Sequence, residues 1–250
     1  MIDNTKLIRE KLLDFKDPGD FYVCHVIQRA KDKRAAGTLN PGDTRDESQR
    51  LIKTWYLDSV DYFEKKLPIM KEVADANHAR LYFMPQVRNK LTVNRVLAKE
   101  IIDSIDETGI RYDHLIRTAV CGCHASRQKM WILDVDDENF GGHELARKFA
   151  DILDGEIFRW AQDAGGPEGG IYMARIYETR NGWGVVTKPF DVRILTKEGI
   201  SHVTLGDETP FGGRIQKFLA EHPECKYSQD KVGTFKMLLK DAMMLAYCGF

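Results

Sequence analysis

Three carboxylates close an aliphatic run in the segment WILDVDDE, at Asp134, Asp136 and Asp137. If the run is a strand, side chains alternate between faces, so Asp134 and Asp136 share one face while Val135 looks the other way. Two carboxylates held side by side on a strand end repel each other unless a cation lies between them. Mg²⁺ or Mn²⁺ suits the pair, being a hard ion that takes oxygen ligands. Two such ions can stabilise the attacking and leaving oxygens of a phosphoryl or nucleotidyl transfer. An acidic turn solvated as it leaves a sheet would carry the same residues, so the short motif alone leaves both readings open.

Other residues with chemical potential are less constrained. Cys121, Cys123 and His124 are zinc-ligand types, but a closed site needs four ligands. Only Cys24 with His25, His114 or Cys225 could complete it, by spatial accident, so buried, reduced cysteines are the favoured reading over zinc. The glycine-rich GGPEGG run at 165–170 lacks the following helix and Lys-Ser/Thr of a phosphate cradle, and reads as a turn. The basic residues Arg29, Lys31, Lys33 and Arg34 read as solvated surface. Arg88, Lys90, Arg95 and Lys99 follow an aromatic strand and form a candidate nucleic-acid face. Trp183, beside Asn181-Gly182, could stack on a base or pack across its own hairpin.

The elements that must position these residues follow from pattern. FYVCHVIQ (21–28), ARLYFMPQ (79–86) and KMWILDVD (129–136) read as strands. Residues 170–179 and 183–188 flank Asn-Gly, a strong hairpin signal. Residues 6–15 read as a short amphipathic helix and 29–44 as a loop. Thr44 with Glu47 has capping-box spacing, and Leu51, Trp55, Val60, Phe63 and Leu67 suggest a long helix that Pro68 breaks or kinks. Further helices are expected at 92–108, and at 143–154 with Gly155 as its stop. Residues 236–247 suit a strand or a buried helix equally.

Bulk properties narrow the class. With 37 basic and 38 acidic residues, the net charge of -1 gives no general grip on nucleic acid, so polyanion contacts must be local. No apolar run approaches the roughly 20 residues that cross a bilayer, and the charged N-terminus does not read as a signal peptide. Five cysteines, an odd number, fit a reducing cytoplasm better than a disulfide scaffold. The expectation is one α/β domain without membrane association, with an N-terminal lobe over 1–78 and a core over 79–250.

The order YFMPQVRN (82–89), WILDVDDE (131–138) and TRNGWGVVTKPFD (179–191) resembles the archaeo-eukaryotic primase and primase-polymerase superfamily over roughly residues 79–247. The resemblance implies an RRM-like mixed sheet backed by helices, with a largely helical N-terminal part. It implies that Asp134 and Asp136 hold catalytic Mg²⁺ or Mn²⁺, that Asp241 or its rival Asp207 adds a later carboxylate, and that Arg88 contacts nucleotide. At the place of the family's phosphate-contacting histidine this chain carries Gly184. Lys188, two alternations further on, is the substitute candidate, and a histidine restored at 184 is expected to add a phosphate contact.

The function this implies is a divalent-metal-dependent nucleotidyltransferase of primase-polymerase type acting on nucleoside triphosphates and nucleic acid, with replication proteins as partners. Two alternatives stand beside it. One is a non-catalytic protein binding nucleic acid or a replication partner on the same fold, and the other is a metal-dependent phosphohydrolase.

Overall fold

The computed structural model describes residues 1–37, 50–105, 112–121, 130–163, 175–195, 212–225 and 243–250. The chain is mixed α/β with antiparallel sheets. It divides into two compact units, Met1–Lys129 with Lys240–Phe250 and Met130–Leu239. The division thus falls just before the acidic strand rather than at residue 78. Among the described residues no helix is long and apolar enough to cross a membrane.

The first unit contains β1 (Ile2–Asp3), α1 (Thr5–Leu7, continued by a π-helical turn Ile8–Leu12), β2 (Asp20–Gln28), α2 (Ala30–Ala35), β3 (Arg50–Leu57), α3 (Val60–Ala76), β4 (Arg80–Asn89), α4 (Lys90–Asp103) and α5 (Tyr112–Cys121). The C-terminal strand β8 (Met244–Cys248) returns to it, giving the sheet order β1-β8-β4-β2-β3. The N-terminal part is therefore a sheet with helices on it rather than largely helical. Of the C-terminal run 236–247, Met244 onwards lies in β8, and 236–242 lie outside the described residues.

Both faces of the central strands are covered, which is why β2 and β4 read as near-continuous apolar runs. Phe21, Val23 and Met84 pack with Val93, Ala119 and Val120 of α4 and α5. Tyr22, Cys24 and Phe83 alternate to the other face, where the Tyr22 and Phe83 rings stack at 5.4 Å. Pro85 cannot donate to a ladder. It falls where β4 bulges against β2, between the pairs Val23–Met84 and Phe21–Arg88.

Two expectations change here. The stretch 50–57 is an edge strand, and the helix begins only after Ser59, whose hydroxyl accepts from the Tyr62 N–H at 3.1 Å. Pro68 lies on the exposed side of α3 without ending it. Residues 30–35, expected as loop, form α2 because Asp32 is drawn into the core by Arg80. The guanidinium Nε lies 3.0 Å from each carboxylate oxygen, and both side chains are buried.

The second unit contains β5 (Trp131–Asp136), a 3₁₀ turn (Asp137–Asn139), α6 (His143–Asp163), β6 (Arg175–Thr179), β7 (Gly182–Thr187), a second 3₁₀ turn (Val192–Leu195) and α7 (Gly213–Glu221). Its three strands run in the order β5-β7-β6. Leu133, Val135 and Val185 face a core shared with Phe149, Leu153 and Ile157 of α6. That helix continues through Gly155 because Ile157, Trp160 and Ala161 keep burying its apolar face. A glycine in a helix costs only about 1 kcal/mol relative to alanine, too little to stop it.

The buried Glu156 carboxylate sets the start of α7. It accepts the N–H of Gly212 at 2.5 Å and pairs with Arg159 at 2.7 Å. Gly212 adopts φ +85°, and a Cβ there would overlap the Ile194 carbonyl, so the position requires glycine.

Candidate functional site

The β6–β7 hairpin turns through Arg180 and Asn181, with Thr179 paired to Gly182. The expected Asn-Gly signal therefore operates one residue earlier than a centred Asn-Gly turn would place it. Gly182 has φ +146°, and any Cβ on it would overlap the Val135 carbonyl and sit 2.9 Å from the Asp137 nitrogen. This close approach lets the Asn181 carbonyl accept the Asp137 N–H at 2.7 Å, fastening the hairpin to the end of β5.

Asp134 pairs across the sheet with Gly184, and Asp136 with Gly182. Both aspartates are half-buried and point to the sheet face opposite the one that Leu133 and Val135 turn to α6. The same two rows continue to β6, where Tyr177 pairs with Gly184 and Thr179 with Gly182. One row thus reads Asp134–Gly184–Tyr177 and the next Asp136–Gly182–Thr179.

Gly184 is not an open notch. A Cβ there would overlap the outer end of the Tyr177 ring, including its hydroxyl oxygen. Tyr177 itself is buried. Its phenol lies across β7, at the strand next to Asp134. The space a β7 side chain would use to approach a ligand of Asp134 is therefore occupied by tyrosine.

Trp183 alternates to the α6 side. Its Nε1–H donates to the His143 carbonyl at 3.1 Å, its ring packs against the His143 imidazole at 4.9 Å, and the Arg147 guanidinium lies 4.4 Å from the ring centre. The tryptophan is thus engaged with the first turn of α6, on the face away from Asp134 and Asp136. Lys188 follows β7 by one residue, where its carbonyl accepts from the Thr187 hydroxyl at 3.0 Å.

Arg88 belongs to the first unit and is fully buried. Its Nε donates to the Val120 carbonyl and its Nη1 to the Gln86 carbonyl at 2.7 Å, tying the end of α5 to β4. Lys90, Arg95 and Lys99 are exposed on α4, with Lys90 3.3 Å from Asp58. Arg88 therefore parts from the other three, which form the accessible cationic group. Nearby, His25 is buried on β2 with its Nδ1 2.9 Å from the Thr54 hydroxyl. Burial, then Arg88 and Arg117, pushes its pKa down to about 4.

Asp207, Asp241, Cys123 and His124 lie outside the described residues, as does the GGPEGG run. Cys24 is buried, and burial pushes its thiol pKa up. On β2 it faces away from His25, its neighbour in sequence.

Sequence reasoning passed over one further pair. The Asp137 carboxylate oxygens lie 3.1 and 3.2 Å from Nδ1 of His143, whose side chain is half exposed. The two are six positions apart in sequence, across Gly141 and Gly142, both at positive φ. No local motif marks this spacing, and only the tight turn between β5 and α6 brings the pair together.

Among the described residues no group of three or more His, Cys, Asp or Glu side chains converges as a metal cage. The pair Asp134 and Asp136 fits a smaller role. Mg²⁺ is commonly held by one or two carboxylates, with water and substrate phosphate oxygens completing six oxygen ligands. Two carboxylates on one strand face supply that donor set. Compared with family models, with curated proteins and with solved structures, the chain matches none.

Proposed function

We propose that the protein is a divalent-metal-dependent nucleotidyltransferase of primase-polymerase type, acting on nucleoside triphosphates and nucleic acid. The reading is supported above all by the common face of Asp134 and Asp136, turned away from the α6 layer and flanked by glycines of β7. Mg²⁺ or Mn²⁺ held there would neutralise charge on a transferring phosphoryl group. Asp134 and Asp136 would orient it. Taken by itself, the first unit carries the exposed Lys90, Arg95 and Lys99 on α4, a local cationic face of the kind that phosphate contacts require in a chain of near-zero net charge.

One observation favours a second reading. The Tyr177 ring over Gly184 leaves β7 without a side chain to contact an incoming phosphate. A non-catalytic protein that binds nucleic acid through the same fold would tolerate that arrangement. The two readings separate in a primed-template extension assay with labelled nucleoside triphosphate and Mn²⁺. Incorporation by the parent, abolished by Asp134→Asn, supports the nucleotidyltransferase. Template binding without incorporation supports the binding protein.

A further inference from the structure

We propose that Tyr82 and Arg29, with the outward cations of α2, form a phosphate-binding site in the first unit. It does not depend on the reading of Asp134 and Asp136, which belong to the other unit. The run 29–34 reads from sequence as solvated surface, and the fold gives it a different character. Its one acid, Asp32, is fully buried against Arg80, while Arg29, Lys31 and Arg34 are exposed and Lys33 is half-exposed. The acid thus faces in and the cations face out.

A buried donor accompanies this charge. Arg80 and Tyr82 are two apart on β4 and share a face. Tyr82 is 9% exposed, and its hydroxyl is buried with no hydrogen-bond partner among the described residues. The charged groups that act on it are Arg29, Arg80 and Asp32. Neither arginine can accept its hydrogen, because a guanidinium only donates. Asp32 is already engaged. Its carboxylate accepts from Arg80 Nε at 3.0 Å to each oxygen, from Arg80 Nη2, and from the Arg29 N–H at 3.2 Å. Burial raises the phenol pKa, so the group keeps its hydrogen and donates at neutral pH. A buried donor without an acceptor is destabilising, and an anion oxygen is the acceptor that guanidinium neighbours select.

Phosphate fits this surrounding. One oxygen accepts from the Tyr82 hydroxyl, and the planar Arg29 guanidinium meets the others with paired donors. Asp32 balances Arg80, which leaves Arg29 to balance the ligand. A single carboxylate would use Tyr82 and Arg29 but give Lys31, Lys33 and Arg34 no part. Successive phosphates use all four cations. Because Arg29 is exposed, a change of its rotamer lets the ligand reach the hydroxyl.

The test is calorimetric titration of the full chain with inorganic pyrophosphate, a nucleoside triphosphate and a single-stranded oligonucleotide. Ionic strength is held constant and divalent ions are absent, so the carboxylates of β5 take no part. The parent is expected to bind pyrophosphate saturably. Tyr82→Phe should weaken binding about tenfold, and Arg29→Gln at least as much. Without ligand, Tyr82→Phe should melt no lower than the parent, since it deletes the unpaired donor and keeps the ring. Tighter binding of the oligonucleotide than of the triphosphate assigns the site to a strand, and the reverse assigns it to a nucleotide. In either case Tyr82→Phe should show the same loss. The inference falls if the parent binds none of the three, or if folded Tyr82→Phe binds them as the parent does. It falls as well if ligand-free Tyr82→Phe melts clearly below the parent, because the hydroxyl then has a partner within the fold.

Discussion

Tyr177 and Gly184 are cross-strand partners, and the tyrosine ring fills the volume that any side chain at 184 would take. The glycine is thus a packing requirement of this sheet. Two substitutions that look alike on paper, at Gly182 and Gly184, meet different obstacles: backbone at the first and a buried ring at the second.

Gly184→His is therefore expected to destabilise by roughly 1–3 kcal/mol, the usual cost of overpacking a filled core. Urea denaturation of Gly184→His, Tyr177→Ala and the double variant should show coupling, with the double variant more stable than the sum of the single losses. Gly182→Ala should cost at least as much, since neither Val135 nor Asp137 backbone can move aside. Full stability in Gly184→His would mean that Tyr177 does not occupy that space.

His25 gives a pH dependence with a definite sign. Its folded pKa is pushed down to about 4, first by burial and then by Arg88 and Arg117. An unfolded histidine titrates near 6.5, so below that the unfolded chain takes up a proton that the folded one refuses. The stabilisation is present above about pH 6.5 and is lost as pH falls towards 4, by up to about 3 kcal/mol. Urea midpoints measured from pH 7 to 4 should fall more steeply for the parent than for His25→Gln. Parallel curves would contradict the shift.

The Arg80–Asp32 pair predicts an asymmetry. Both side chains are buried, so Asp32→Ala leaves an uncompensated guanidinium and should cost roughly 3–5 kcal/mol. Replacing both together, as Asp32→Leu with Arg80→Met, should cost less than Asp32→Ala alone. Thermal unfolding of the three chains decides it.

Much of the second unit was readable in advance. The aliphatic alternation of residues 131–136 and the Asn-Gly hairpin rest on local rules, and Asp134 and Asp136 do share a face. The misreading of residues 51–57 has a physical cause. Leu51 and Trp55 are four apart, a spacing that puts side chains on one face in a helix and in a strand alike. Only pairing with β2, which no local window contains, separates the two. The helix at 30–35 reads as loop because Arg80, the partner that buries Asp32, is 48 residues away. The closure of Gly184 by Tyr177 depends on the register of β6 against β7. The His143–Asp137 pair depends on a turn through two glycines. Neither leaves a pattern in sequence.

The central claim is that Asp134 and Asp136 hold a divalent cation, and a calorimetric titration with Mn²⁺ tests it most directly. The parent is predicted to give saturable binding, and the folded Asp134→Asn, Asp136→Asn double variant none. Equal heats in the two proteins, or no binding by the parent at millimolar Mn²⁺, would contradict it.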